Sequence, residues 1–164
     1  MTHNVINYDQ DSYRWRDDDG TNETDATWLE IVNTTHDFDL GAGNVQARLR
    51  ILVQEDGGVD GFNYWGLIQY SLNGGTYTDV TTTSSVVKAF SSTKLTDDGE
   101  TTQQLGSGTY ATNSNEGQCE DGQHGDGAAG AMDILANEEW EIEYTLEFIK
   151  ADLADGDVVE FQVY

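Results

Sequence analysis

Apolar and polar residues alternate along much of this chain, and two long stretches carry the pattern most clearly. Val45, Ala47, Leu49, Ile51 and Val53 are apolar, with Gln46, Arg48, Arg50 and Gln54 set between them. Trp140, Ile142, Tyr144, Leu146 and Phe148 alternate with Glu139, Glu141, Glu143, Thr145 and Glu147. Successive side chains of a strand point to opposite faces, so a period of two predicts two long strands, each buried on one face. Wound as a helix, the second stretch would scatter its aromatics around every side. That outweighs the slight helix preference of its glutamates.

Shorter stretches repeat the theme. Tyr64, Ile68, Tyr70 and Leu72 predict a strand interrupted at Gly66. Asn73-Gly74-Gly75 then reads as a turn and Thr76 to Val80 as the returning strand, the clearest hairpin in the chain. Further strands are expected over Ser85 to Phe90, around Tyr110, over Ala129 to Ile134 and over Val158 to Tyr164. Ala26 to Val32 reads as a strand or a short helix. In Tyr13-Arg14-Trp15-Arg16-Asp17-Asp18-Asp19-Gly20, the two arginines share one face of a strand that ends in an acidic turn. About eight to ten short strands with frequent turn signals predict an all-β fold, a single antiparallel β-sandwich or jelly-roll. One domain is expected over residues 1–164. Two polar stretches, Thr96 to Gly108 and Asn113 to Gly127, are expected as long loops, which on a small sandwich are functional or interfacial.

Composition narrows the class. Hydrophobic residues make up 37% of the chain, enough for a packed core and against wholesale disorder. Proline is absent, so glycine makes the turns. Acidic residues number 31 against 7 basic ones, a formal net charge of −24. Such a surface repels phosphate backbones and anionic lipid, which argues against nucleic-acid or membrane partners. The excess of acid has two readings, a saline setting that screens it or simple solubility at high copy number. Cys119 stands alone, so no internal disulfide is expected. No apolar run approaches the roughly 20 residues of a membrane span. The N-terminal residues lack the basic and apolar regions of a secretory leader, which predicts folding in a cytosol, with later release in a particle still open.

Candidate chemistry is sparse. No Gly-x-Ser-x-Gly elbow occurs. His3, His36 and His124 read as surface residues, and Cys119 beside His124 matches no recognised nucleophile–base arrangement. Carboxylate pairs arise by chance in so acidic a chain and carry no weight for glycoside chemistry. Hard cations want clustered oxygen ligands, and Asp17, Asp18, Asp19, Glu23 and Asp25 form one such cluster. Glu116, Glu120, Asp121 and Asp126 form a second, and Asp152, Asp155 and Asp157 a third. None fits the EF-hand spacing, and aspartate and glycine are also ordinary turn residues. Asp17, Asp19 and Glu23 are kept as the Ca²⁺ candidates; no other cofactor is expected. Arg14 with Arg16, and Arg48 with Arg50, form two ladders, expected to pair with carboxylates across strands as scaffold or at a subunit boundary. Trp15 and Trp65 are candidates for stacking on a sugar, whereas Trp140 belongs to the alternating core pattern.

Together these segments carry a resemblance. Tyr13 to Gly20 with Ala26-Thr27-Trp28, Arg48 to Glu55, Tyr70 to Gly75, Thr102 to Thr109 and Ala154 to Asp157 resemble stretches of β-rich virion structural proteins of tailed bacteriophages. The resemblance implies a capsid decoration (cement) protein or a head or tail fibre module, present in the virion. It implies no enzyme and no catalytic residues. The resembling proteins continue past the strand matching Val158 to Tyr164. An open sheet edge is therefore expected, covered in a homo-oligomer, with a trimer favoured. The major capsid protein or another virion protein is the expected partner. The alternatives are a carbohydrate-binding or adhesin module and a subunit of an extracellular cellular filament. Exposed Trp15 and Trp65 on one platform point to sugar binding; their burial points to architecture.

Overall fold

The two stretches of strongest alternation become the two longest strands. The computed structural model describes residues 5–64, 66–111, 118–120 and 132–164. Its central sheet is built on β1 (Tyr8–Asp17), β2 (Val45–Glu55) and the strand Glu138–Phe148, which is β11 in chain order. β2 lies between the other two and pairs with both in antiparallel register. Tyr13 faces Ile51 across one ladder, and Ile142 faces Ile51 across the other. The outer edge of β11 is covered in sections. β8 (Thr109–Tyr110) and β9 (Gln118–Glu120) run parallel to it, and β6 (Val87–Ala89) antiparallel. β7 (Gly99–Glu100) pairs in turn with β9.

A second layer covers the apolar face of that sheet. It consists of β12 (Val159–Val163), β4 (Ile68–Leu72) and β5 (Thr78–Asp79) in one small sheet, and β3 (Gly61–Tyr64) with β10 (Met132–Ile134) in another. Trp15, Leu49, Ile51, Val53, Trp140, Ile142, Leu146 and Phe148 from the central sheet share one cluster with Tyr64, Ile68, Tyr70, Met132, Ile134 and Val163. Burying each such side chain is worth about 1.5–3 kcal/mol relative to exposure. The expected all-β, sandwich-like architecture is therefore what forms. A 3₁₀ turn, Lys150–Asp152, precedes the return to β12.

Two turns show why the chain can close this core. Asn73 and Gly74 have φ of 52° and 70°, and the Gly75 N–H donates to the Leu72 carbonyl at 3.0 Å. That is the I′ hairpin turn, whose twist suits two antiparallel strands. Gly66 has φ of 57°, and its carbonyl accepts the Tyr144 hydroxyl. A Cβ there would stand 2.5 Å from Ile142 Cδ1, so the backbone passes directly over the sheet's side chains.

Some sequence expectations need correction. Ala26 to Val32 forms neither a strand nor a helix; it runs along the outer edge of β1, with one isolated bridge between Trp28 and Arg16. The alternation predicts long strands that are half-buried, on their apolar face. Instead Arg48, Arg50, Glu141 and Glu143 are fully buried, because two loops lie across them. One of those loops is the stretch Thr96 to Gly108, which also contributes β7. Of the loop expected over Asn113 to Gly127, only Gln118–Glu120 is described, and it is a strand. The rest of that loop, with Glu116, Asp121, Asp126 and His124, lies outside the described residues, as do His3 and Trp65. For Cys119 and Glu120 the strand position alone is described.

Candidate functional site

Alternation on β1, β2 and β11 places Arg16, Arg48, Arg50, Glu141 and Glu143 on the sheet face opposite the apolar core. Glu143 stands across from Arg50, and Arg16 across from Arg48. Two like charges directly opposite one another repel. Glu143 resolves that conflict. Its Oε2 lies 3.0 Å from Arg16 Nη1 and 2.5 Å from Arg50 Nη1, and its Oε1 lies 3.3 Å from Arg48 Nη1. Arg50 also reaches Glu141 at 2.6 Å and Glu23 at 2.9 Å, and Arg48 reaches Asp18 at 2.7 Å. Three guanidiniums thus meet four carboxylates. Burial works against the charge of Arg50, but Glu143, Glu141 and Glu23 outweigh it and hold the proton more tightly than usual. For Arg16 burial prevails over Glu143, and its pKa is lowered.

The remaining valences of this cluster fasten the covering loops. Arg16 donates to the carbonyls of Glu23 and Ala26, Arg48 to those of Asp19 and Asn22, and Arg50 to that of Thr102. The successive N–H groups of Gln104, Leu105 and Gly106 donate to Glu141 Oε1 at 2.7, 2.6 and 3.1 Å. Three amides converging on one carboxylate oxygen form an anion nest, here filled by the protein's own side chain. Thr102 and Gln104 donate to the Glu23 carboxylate, and Ser92 to Asp18. A buried ion cluster of this kind, with its lone pairs satisfied, fixes one arrangement of loops on the sheet. Its carboxylates are spent on guanidiniums and loop donors, which makes it a lock between elements, while Arg16 Nε is buried without a hydrogen-bond partner among the described residues.

Arg14 shares a face with Arg16 but stays outside the cluster. Its Nε donates to the Glu30 carbonyl, and its guanidinium carbon lies 4.3 Å from the centroid of the Trp28 ring, where that of Arg16 lies at 4.1 Å. The tryptophan is held by cation–π contact from both arginines.

The three Ca²⁺ candidates are not brought together. The Asp17 carboxylate accepts the Asp18 N–H, Asp19 accepts both the N–H and the hydroxyl of Thr27, and Glu23 pairs with Arg50. Among the described residues no three histidine, cysteine, aspartate or glutamate side chains converge as a metal site. Asp25 works in the same loop as a turn-former. The Thr21 N–H, the Thr21 hydroxyl and the Asn22 N–H lower its carboxyl to about 2. Trp15 is buried against Phe38, Phe148 and Phe161, with its ring edge-on to Phe38 at 5.1 Å. It offers no exposed face to a sugar, which corrects the stacking expectation for that residue. His36 Nδ1 lies 2.9 Å from a Glu30 carboxylate oxygen, with its ring against Phe38.

Glu55 went unnoticed in the sequence. It ends β2 fully buried, and its two oxygens accept the N–H groups of Asn7, Gly57, Gly58, Val59 and Asn137. A glutamate before Asp56-Gly57-Gly58 was the available signal, since exposed glycine amides need an acceptor. No family model matches the chain, and no curated protein or solved structure matches it either.

Proposed function

We propose that this chain is a non-enzymatic structural protein of a virion, a capsid decoration protein or a head or tail fibre subunit, acting by self-association and by binding a particle surface. One observation carries the reading. Three of the five segments that resemble phage structural proteins meet in the fold at one place, the buried ion cluster. Tyr13 to Gly20 supplies Arg16 and Asp18, Arg48 to Glu55 supplies Arg48 and Arg50, and Thr102 to Thr109 supplies the amides on Glu141. Residues shared for that purpose are scaffold, which is what a protein working by shape and area needs. The burial of Trp15 also favours architecture over sugar binding.

The test is location. Particles banded from a lysate that contains this gene product are probed by mass spectrometry and by immunogold labelling with antibody to the chain. The protein is expected to band with tailed particles and to carry gold on the head or tail. Recovery of the protein only in the unbanded soluble fraction would overturn the reading.

A further inference from the structure

The second layer leaves one strand edge open. β12 pairs with β4 on one side only. Tyr164 and Leu67 exchange both backbone bonds, and Val158 accepts from Asn73, so the even-numbered residues of this strand face β4. By alternation Val159, Phe161 and Val163 present their N–H and C=O groups to the opposite side. Val163 finds the side chain of Gln10 there, at 3.0 Å. Val159 and Phe161 have no partner on that side among the described residues.

That open edge forms one wall of a groove of about 1230 Å³. The facing wall includes residues 35–39, a stretch of alternating exposure in which Phe38 turns inward and Asp37 and Asp39 outward. The backbone of this stretch likewise forms no hydrogen bond among the described residues. Between the walls the floor is aromatic, with Phe38 and Phe148 at 4.4 Å and Trp15 and Phe161 at 5.7 Å. The rim is acidic. Asp11, Asp37, Asp39, Asp155, Asp157 and Glu160 line it, and among the described residues none pairs with a cationic side chain. The two basic groups of the rim are already engaged, His36 with Glu30 and Lys150 Nζ with the Gly41 carbonyl.

We propose that this groove receives an extended, lysine- or arginine-bearing segment of a partner protein, which adds as a strand to the free edge of β12. Unpaired edge amides supply backbone hydrogen bonds, the aromatic floor takes every second side chain, and the acid rim selects for positive charge. A second copy of this chain lacks the means to fill the groove. Arg16, Arg48 and Arg50 are buried, and the only stretches that alternate basic with apolar residues already lie in the central sheet. The inference is independent of the virion reading, since peptide binding and particle location can each fail alone.

Isothermal titration of the full chain tests it with two synthetic heptapeptides, lysine alternating with valine and lysine alternating with phenylalanine. Glutamate-for-lysine counterparts serve as controls. The expected result is binding of at least one basic peptide, no binding of the acidic ones, and affinity that falls steeply between low and high salt. Methylating alternate backbone amides of the peptide should abolish binding. The double variant Asp37→Lys with Asp155→Lys, both exposed positions, should bind about tenfold more weakly while unfolding at the same urea midpoint as the parent. Three results would overturn the proposal. They are failure of both basic peptides, indifference to amide methylation or to the double variant, and a dimer in sedimentation equilibrium that the double variant abolishes.

Discussion

Glu143 touches three guanidiniums from two neighbouring strands, and no other carboxylate of the cluster touches more than one. Replacing it by Gln keeps the shape and leaves buried positive charge uncompensated, which costs about 3–5 kcal/mol. Glu147→Gln is the contrast. Its partner Lys88, at 2.7 Å, is one-third exposed, and the pair is worth under about 1 kcal/mol. Urea unfolding of both variants checks this, and equal losses would remove the cluster from the explanation of stability. Glu55 gives a pH signature. Burial alone would raise its pKa, but the N–H groups of Asn137, Asn7, Gly58 and Gly57 outweigh burial and hold the carboxyl below its usual range. The folded state therefore binds that proton less tightly than the unfolded state. The contribution is fully present above the ordinary glutamate value of about 4.3 and is lost as pH falls through the lower folded value. Glu55→Gln should flatten the acid limb of a stability–pH curve, and a parallel curve would contradict the assignment. The arginine ladders were legible at this scale because period two puts Arg48 with Arg50 on one face. Glu23 was not, since its place comes from a loop whose path the arginines themselves set.

At the scale of elements, turn chemistry was the most readable part. Asn73-Gly74 announces the turn it makes, because both residues must take positive φ. Gly74→Ala has open space for its Cβ and should cost about 1 kcal/mol from backbone alone. Gly66→Ala meets the same backbone penalty and the Ile142 side chain at 2.5 Å, so a further 1–3 kcal/mol or so is expected from overpacking. Thermal melts of the two variants should separate clearly; matching melting temperatures would mean that the connection through Gly66, between β3 and β4, yields. Ala26 to Val32 resisted reading for a physical reason. Its bonds go to the outer edge of β1 and its carbonyls to Arg14 and Arg16, so neither helical nor strand periodicity shapes it.

Over the whole molecule, a net charge of −24 opposes compaction by self-repulsion. Added sodium chloride screens exposed charges within a Debye length of about 10 Å at 0.1 M, while the buried ion cluster is screened far less. The melting temperature should therefore rise with salt from low ionic strength, and the increase should persist in Glu147→Gln. A fall on adding salt would mean that attractive surface pairs dominate. The same surface frames the groove, where acid gathers around an aromatic floor and an unused strand edge.

The sequence by itself determined the β class, the apolar face of β2 and β11, the hairpin at Asn73 and the pairing of Arg16, Arg48 and Arg50 with acid, whereas Arg14 takes a carbonyl and the Trp28 ring instead. Each is a local matter, fixed by side-chain period or by backbone conformation. Only the tertiary structure decided which carboxylates the arginines meet, that both faces of the central sheet are buried, that Trp15 is core, and that the free edge of β12 borders an aromatic, acid-rimmed groove. Those outcomes depend on residues far apart in the chain, such as Arg50, Glu143 and Leu105, and on loops held by side-chain bonds with no period to read.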